Sequence, residues 1–275
     1  MTDFWKAVVL GVVEGLTEFL PVSSTAHIRL SQDLLGISLE DSFWKMFAIV
    51  VQLGAILAVV VAFRKRLTDF VRTYPKHTSG KWWNHPLSLV AISFVVTAVP
   101  CFIIDEKIGE MLESTTVMGW ALLVGGILMW IIDVIFSPKA TTDTVEKMNL
   151  RQSIVIGFAQ IFSAAFPGTS RSMATIAGGQ IMGLTRSAAL EFSFFLSIPV
   201  MMAATGFKLL QFILKNGQDL GSQPWGTLAV GFVVSFFVAW IVIQWFLHWV
   251  RKHGFLPFAI YRIIVGIVVL YFAFK

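Results

Sequence analysis

The chain has 275 residues, of which 56% are hydrophobic and 13% charged, with a mean hydropathy of +0.78. An average globular chain carries roughly 25% charged residues; the polar side chains here are too few to cover a water-soluble surface, which excludes soluble, disordered, coiled-coil and secreted disulfide classes together. The 21 Lys and Arg against 16 Asp and Glu leave a net charge of +5, and because the basic residues fall mostly between apolar segments, membrane topology accounts for them without a nucleic-acid partner.

The N-terminus, Met1-Thr2-Asp3-Phe4, opens on an acid, and no small-residue cleavage site follows the first apolar stretch, which argues against a cleaved signal peptide. That stretch, Phe4 to Leu20, carries Glu14 and Glu18, stops at Pro21 and resumes after Ser23-Ser24-Thr25. Three runs then approach the length of about 20 apolar residues that a hydrocarbon core of roughly 30 Å requires: Trp44 to Phe63, Leu87 to Ile104 and Val117 to Phe136. A polar segment, Lys139 to Lys147, reads as a linker. A second broken stretch follows, from Ile154 to Phe166, halted at Pro167-Gly168 and resuming after Thr169-Ser170-Arg171-Ser172. Three more full runs close the chain: Ala188 to Phe207, Trp225 to Leu247 and Phe255 to Phe274. The lone Cys101, after Pro100 in an apolar run, reports neither a disulfide nor a thiol metal site.

Each half of a broken stretch is too short to span, and proline followed by hydroxyl residues ends one helix where another can be N-capped. The pattern predicts an all-α polytopic membrane protein with six transmembrane helices and two re-entrant helix hairpins, over 4–36 and 154–184. One membrane domain, 1–275, then consists of two repeats, 1–148 and 149–275, each a hairpin followed by three spans. At an offset of 146, Gly11 falls on Gly157, Glu14 on Gln160, Pro21 on Pro167, Ser23 on Thr169 and Ser24 on Ser170. A hairpin returns to its own side and three spans change sides, so the second repeat is inverted relative to the first. One side holds Arg64, Lys65, Arg66, Arg72, Lys76, Lys81, Lys139, Lys147, Arg151, Arg251 and Lys252. The other holds fewer bases, diluted by Asp33, Glu40, Asp41, Asp105, Glu106, Glu110 and Glu113. The positive-inside rule makes the first side cytoplasmic and turns both termini and the mouth of the first hairpin outward.

Glu14 and Glu18, spaced i, i+4, project from one face of the first half-helix. A charge at mid-bilayer costs about 2.5 to 3.5 kcal/mol on insertion scales, which marks both as functional candidates. Such a pair can hold a hard divalent cation or share a proton as a general acid; a structural ion pair is the alternative. Ser24 and His27 lie i, i+3 after the turn, and of the five histidines only His27 falls in a hairpin; His77, His85, His248 and His253 fall in cytoplasmic loops. A hydroxyl beside an imidazole is the minimum for an activated nucleophile. In the second hairpin Arg171 stands among hydroxyl donors, where its guanidinium can match two phosphate oxygens. Asp133, Arg186, Glu191 and Arg262 lie near the cytoplasmic ends of spans, where snorkelling or mutual pairing explains them.

The string from Glu14 to His27, Glu-Gly-Leu-Thr-Glu-Phe-Leu-Pro-Val-Ser-Ser-Thr-Ala-His, resembles the signature of the bacterial undecaprenyl-diphosphate phosphatases, the bacitracin-resistance family. Pro167 to Ser172 with Thr175 resembles the second motif of that family, and Glu191 to Phe194 and Pro257 to Arg262 resemble further segments, so the likeness covers essentially the whole chain. One departure is Ala26, where the family usually has glycine; its methyl narrows the approach to the turn.

The resemblance implies hydrolysis of undecaprenyl diphosphate to undecaprenyl phosphate and inorganic phosphate, recycling the lipid carrier of cell-wall synthesis at the outer face of the bacterial inner membrane. It implies a divalent cation, Mg2+ or Ca2+, on Glu14 and Glu18. Ser24, His27, Glu18, Glu14 and Arg171 become the expected catalytic set, with Ser23, Thr25, Gly168, Ser170, Ser172 and Thr175 around the phosphates. Whether Ser24 or His27 is the nucleophile stays open at this level. The expected partners are the lipid substrate, the membrane and, for assembly, a second copy in a homodimer. Inverted repeats with broken helices are also the architecture of secondary transporters, so a polyprenyl-phosphate transporter or flippase is the rival reading. The serine, imidazole and paired carboxylates favour hydrolysis, because transport needs no nucleophile beside a base.

Overall fold

In a computed structural model, residues 2–38, 40–76, 80–108, 114–216 and 224–275 are described. Glu110 and Glu113, which entered the charge count, and His77, read as a loop histidine, lie outside them. The described residues form eleven α-helices, short 3-10 turns and no strand. Six helices are long and apolar enough to cross a membrane: Ser42–Ala62, Pro86–Ile103, Thr115–Lys139, Arg186–Leu214, Trp225–His253 and Leu256–Ala273. They coincide with the six runs expected, and the chain is an all-α, multi-pass membrane protein.

The chain divides into two compact units. The first contains α1 (Asp3–Thr17), α2 (Ser24–Leu34), α3 (Ser42–Ala62), the part of α9 (Arg186–Asn216) from Ser197, and α10 (Trp225–His253) as far as Gln244. Asp41 starts α3 by accepting from the Phe43 and Trp44 amides at 2.8 and 3.3 Å, satisfying donors that the helix itself leaves open. Ala7, Leu10, Ile28, Trp44, Met46, Phe47, Val51 and Leu228 form a buried cluster. In lipid the hydrophobic effect does not join helices, so close packing of small residues and side-chain hydrogen bonds must. Both occur: a Cβ at Gly11 would lie 2.8 Å from the Gly231 carbonyl oxygen of α10. Ser235 donates to the Val51 carbonyl at 2.9 Å, and Thr205 to Gln52 Oε1 at 3.0 Å.

The second unit contains Leu20–Ser23, α4 (Arg64–Thr73), α5 (Pro86–Ile108), α6 (Thr115–Phe136), α7 (Leu150–Ala165), α8 (Arg171–Ile181), the start of α9 (Arg186–Asn216), the end of α10 (Trp225–His253) and α11 (Leu256–Ala273). Asn149 and Gln152 start α7 with a reciprocal capping box. A hydroxyl ladder joins α5 to α7: Ser93 donates to the Ser153 carbonyl at 2.6 Å, Ser153 to that of Leu89 at 2.8 Å, and Thr97 to that of Gly157 at 2.9 Å. Gly157 makes that approach; a Cβ there would lie 2.8 Å from the Ser93 carbonyl oxygen.

Two segments differ from expectation. A basic helix, α4, follows α3 directly; its apolar residues are too few for a span, and Phe70 alone is buried on it. The 139–147 linker is tied down: Thr141 and Thr142 amides donate to the Gly183 carbonyl at 2.9 and 3.0 Å, and Val145 is fully buried. At the ends of the spans Asp133 accepts from Nε and Nη2 of Arg186, at 2.8 and 2.9 Å, together with Gln180 Nε2 at 2.7 Å and the Phe255 amide at 3.2 Å. Arg66 bridges Glu146 at 2.7 Å and Glu191 at 2.8 Å. Asp133, Arg186 and Glu191 thus pair as their positions suggested; Arg262 does not.

Candidate active site

In the first unit, α1 ends at Thr17 and Glu18 follows as its helical C-cap, its amide bonded to the Glu14 carbonyl at 2.9 Å. Both carboxylates are buried, Glu14 at 4% and Glu18 at 7% relative exposure. Proline at 21 cannot continue the helix. The chain reverses over a few residues, and α2 begins at Ser24. The Ser24 hydroxyl donates to Glu18 Oε2 at 2.5 Å, so the carboxylate six residues upstream is the acceptor in place to take the hydroxyl proton. The sequence offers His27 for that hydroxyl as well, as base or as proton donor. The imidazole stands one turn along α2, half-buried, while Thr25 is exposed and Ala26 fully buried.

In the second unit, α7 ends at Ala165 and the chain passes Gly168, at φ 93°, to Ser170, at φ 71°, before α8 starts at Arg171. Ser23 holds φ 74° in the corresponding place, immediately before α2. A non-glycine residue there carries a backbone cost of about 1 to 3 kcal/mol, so two serines held so at two helix starts are an unusual expense. The first amides of each helix are donors that the helix itself leaves open, available to an anion at its start. The Ser170 hydroxyl accepts from the Met173 amide at 3.3 Å and lies 3.0 Å from that of Ser172, which donates to the Leu20 carbonyl at 2.9 Å. Arg171 Nη1 donates to the Ser193 carbonyl of α9 at 3.2 Å. Thr175 lies 2.7 Å from the Ser193 hydroxyl and donates to the Arg171 carbonyl at 3.0 Å, fixing the base of the arginine. Thus Ser24 and Glu18 meet in one unit, and Ser170, Arg171, Ser172 and Thr175 form a linked hydroxyl and guanidinium array in the other.

Arg262, which its position near a span end suggests for snorkelling or pairing with an acid, instead binds main-chain carbonyls. It is fully buried, and its guanidinium donates to three main-chain carbonyls, those of Pro21, Ala121 and Gly168, at 3.2, 3.0 and 3.1 Å. The sequence signal was present, a single arginine inside the apolar run of α11, but no motif rule points such a residue at a carbonyl rather than at an acid.

Among the described residues no group of three or more His, Cys, Asp or Glu forms a ready-made metal cage. Two buried carboxylates, Glu14 and Glu18, are hard oxygen donors of the kind Mg2+ takes one or two of, with substrate phosphates and water completing its shell.

The sequence compares closely with known proteins. The family described as "Bacitracin resistance protein BacA" matches residues 7–268. A protein of Koribacter versatilis named undecaprenyl-diphosphatase is 55% identical over the full length of both chains. Proteins of the same name from Caldanaerobacter subterraneus and Wolinella succinogenes are 42% and 41% identical, covering 97% and 98% of this chain and 94% and 98% of their own. The chain therefore belongs to the BacA family of bacitracin resistance proteins.

Proposed function

We propose that this protein is an undecaprenyl-diphosphate phosphatase, releasing inorganic phosphate and returning undecaprenyl phosphate as lipid carrier. The observation that carries the reading is the 2.5 Å hydrogen bond from Ser24 to Glu18, a nucleophile already paired with its base. Oγ of Ser24 attacks the terminal phosphorus as Glu18 takes its proton; the bond to the bridging oxygen breaks, and undecaprenyl phosphate leaves. Water then cleaves the phosphoserine: His27, neutral after the first step, takes a proton from that water while Glu18 returns its proton to the departing Ser24 oxygen, so both groups regain their starting states. In the first step His27 supplies a proton to the departing bridging oxygen, and Arg171 with the Ser23, Thr25, Gly168, Ser170, Ser172 and Thr175 groups holds the phosphate oxygens. Glu14 and Glu18 are the residues that would hold a divalent cation, whose contribution when bound is to offset the diphosphate charge.

The same proposal includes the finer architecture. The two helix-turn-helix segments are re-entrant hairpins of an inverted repeat, 1–148 and 149–275, in the bacterial inner membrane, with both termini and the site opening to the periplasm. Support comes from Gly11 and Gly157, 146 residues apart, each pressed against a main-chain carbonyl of another helix; the left-handed serines, Ser23 and Ser170, are 147 apart, so the second turn carries one residue more than the first. Assembly as a homodimer belongs to the same reading and is checked by light scattering of the protein in detergent.

Rapid quenching of turnover with labelled substrate tests the mechanism: an acid-stable adduct on Ser24 supports it. An acid-labile adduct on His27 would make the imidazole the nucleophile and remove Ser24 from that role.

A further inference from the structure

Arg262 belongs to none of the groups assigned to phosphate, cation or proton, yet it occupies the point where the two hairpin turns are tied. Its Nη1 donates to the Pro21 carbonyl at 3.2 Å, and its Nη2 to the Gly168 carbonyl at 3.1 Å and the Ala121 carbonyl of α6 at 3.0 Å. Pro21 and Gly168 hold the same place in their turns. Each lies two residues before the left-handed serine, Ser23 or Ser170, and three before the first residue of the next helix, Ser24 or Arg171. One guanidinium therefore grips equivalent carbonyls of both turns, while Ala121 fixes the plane of the fork.

The chemistry suits that task. A peptide is planar, so holding its carbonyl also sets the following N–H and the entry into the next residue. Turn carbonyls within a membrane protein have little water to turn to and need a donor from the protein. Arginine offers several donors in a fixed plane, whereas lysine is a point charge on a flexible stem. A neutral side chain with one donor would leave at least one of the turns loose.

We propose that Arg262 is a positioning residue for phosphoryl transfer: it locks both serine turns in one geometry and thereby sets Ser24 and Arg171, the residue after each serine. The inference rests on the phosphatase reading for its kinetic consequence but not for its structural one, and the test separates the two.

Three variants, R262M, R262K and G125A, are compared with wild type for phosphate release from undecaprenyl diphosphate and for amide hydrogen exchange. A methyl at Gly125 would meet Arg262 Nη2 and the flexible Met173 side chain, displacing the guanidinium without removing its charge. For R262M, kcat falls about 100-fold with KM within about threefold, the pattern of misplaced reacting groups. Exchange rises together in 20–25 and 167–172, while the α6–α11 helical segments keep their protection. R262K and G125A show the same paired rise and a smaller kcat loss. Wild-type kcat in a folded R262M or in G125A overturns the proposal, as does a rise in one turn only or spread over the whole chain. Where R262M fails to accumulate, R262K and G125A decide by the same criteria. Absence of phosphate release from wild type would instead refute the phosphatase reading, and the exchange pattern would still decide the clamp.

Discussion

Glu18 sits one residue past the last turn of α1, and from there its carboxylate reaches forward six residues to the Ser24 hydroxyl. The residue types of this pair were legible because carboxylates and hydroxyls inside an apolar stretch are costly enough to demand a reason. Their pairing was not, because it depends on Ser23 at φ 74°, a conformation that no pattern of apolar and polar residues encodes for serine. Glu18→Gln keeps the shape and removes the base; phosphate release should fall by about 100-fold or more, and a steady-state assay checks it. Ser23 offers a second test of the backbone argument. Ser23→Gly accepts the left-handed turn at no steric cost and should keep turnover within about tenfold of wild type, whereas the β-branched Ser23→Val should abolish it. Equal activity of the two variants would contradict the role given to that turn. Arg262 was visible as a charge in α11 but not as a clamp, since its partners are main-chain carbonyls from segments far apart in sequence.

The helices were the most legible level. Six apolar runs became six helices of spanning length, and the proline breaks at Pro21 and Pro167 became turns between short helices. What the runs did not reveal is how the helices meet, because lipid-facing and partner-facing surfaces are equally apolar. Gly157 and the Ser93, Thr97 and Ser153 ladder mark the α5–α7 contact. A leucine at Gly157 has no room against the Ser93 carbonyl and should lower the thermal midpoint in detergent by several degrees, at a cost of about 1 to 3 kcal/mol. The Asp133 carboxylate satisfies Arg186, Gln180 and the start of α11 at once. Asp133→Ala strands those donors and should cost about 3 kcal/mol, while Asp133→Asn should cost less. Equal unfolding midpoints for the two would show that the network contributes little. Helix α4 escaped prediction because a short basic helix carries too little apolar periodicity to stand out from a cytoplasmic loop.

For the molecule as a whole, composition alone placed the chain in a bilayer, and the distribution of Lys and Arg is the basis of the proposed orientation. In the proposed architecture two hairpins, each followed by three spans, give the repeats opposite orientations and set both ends of the chain on the periplasmic side. A cytoplasm-dependent reporter fused after Lys275 should therefore be silent and a periplasm-dependent one active; the reverse pattern would invert the topology. An outward site suits a substrate whose long apolar tail arrives through the bilayer while its diphosphate needs polar cover. It also keeps the transporter alternative open to experiment, since moving a lipid requires no bond to break. Phosphate release from purified protein given undecaprenyl diphosphate, with and without a chelator, tests the central claim most directly. The account predicts release that depends on Ser24 and Glu18 and is suppressed by the chelator; well-folded protein that binds the lipid and releases no phosphate would contradict it.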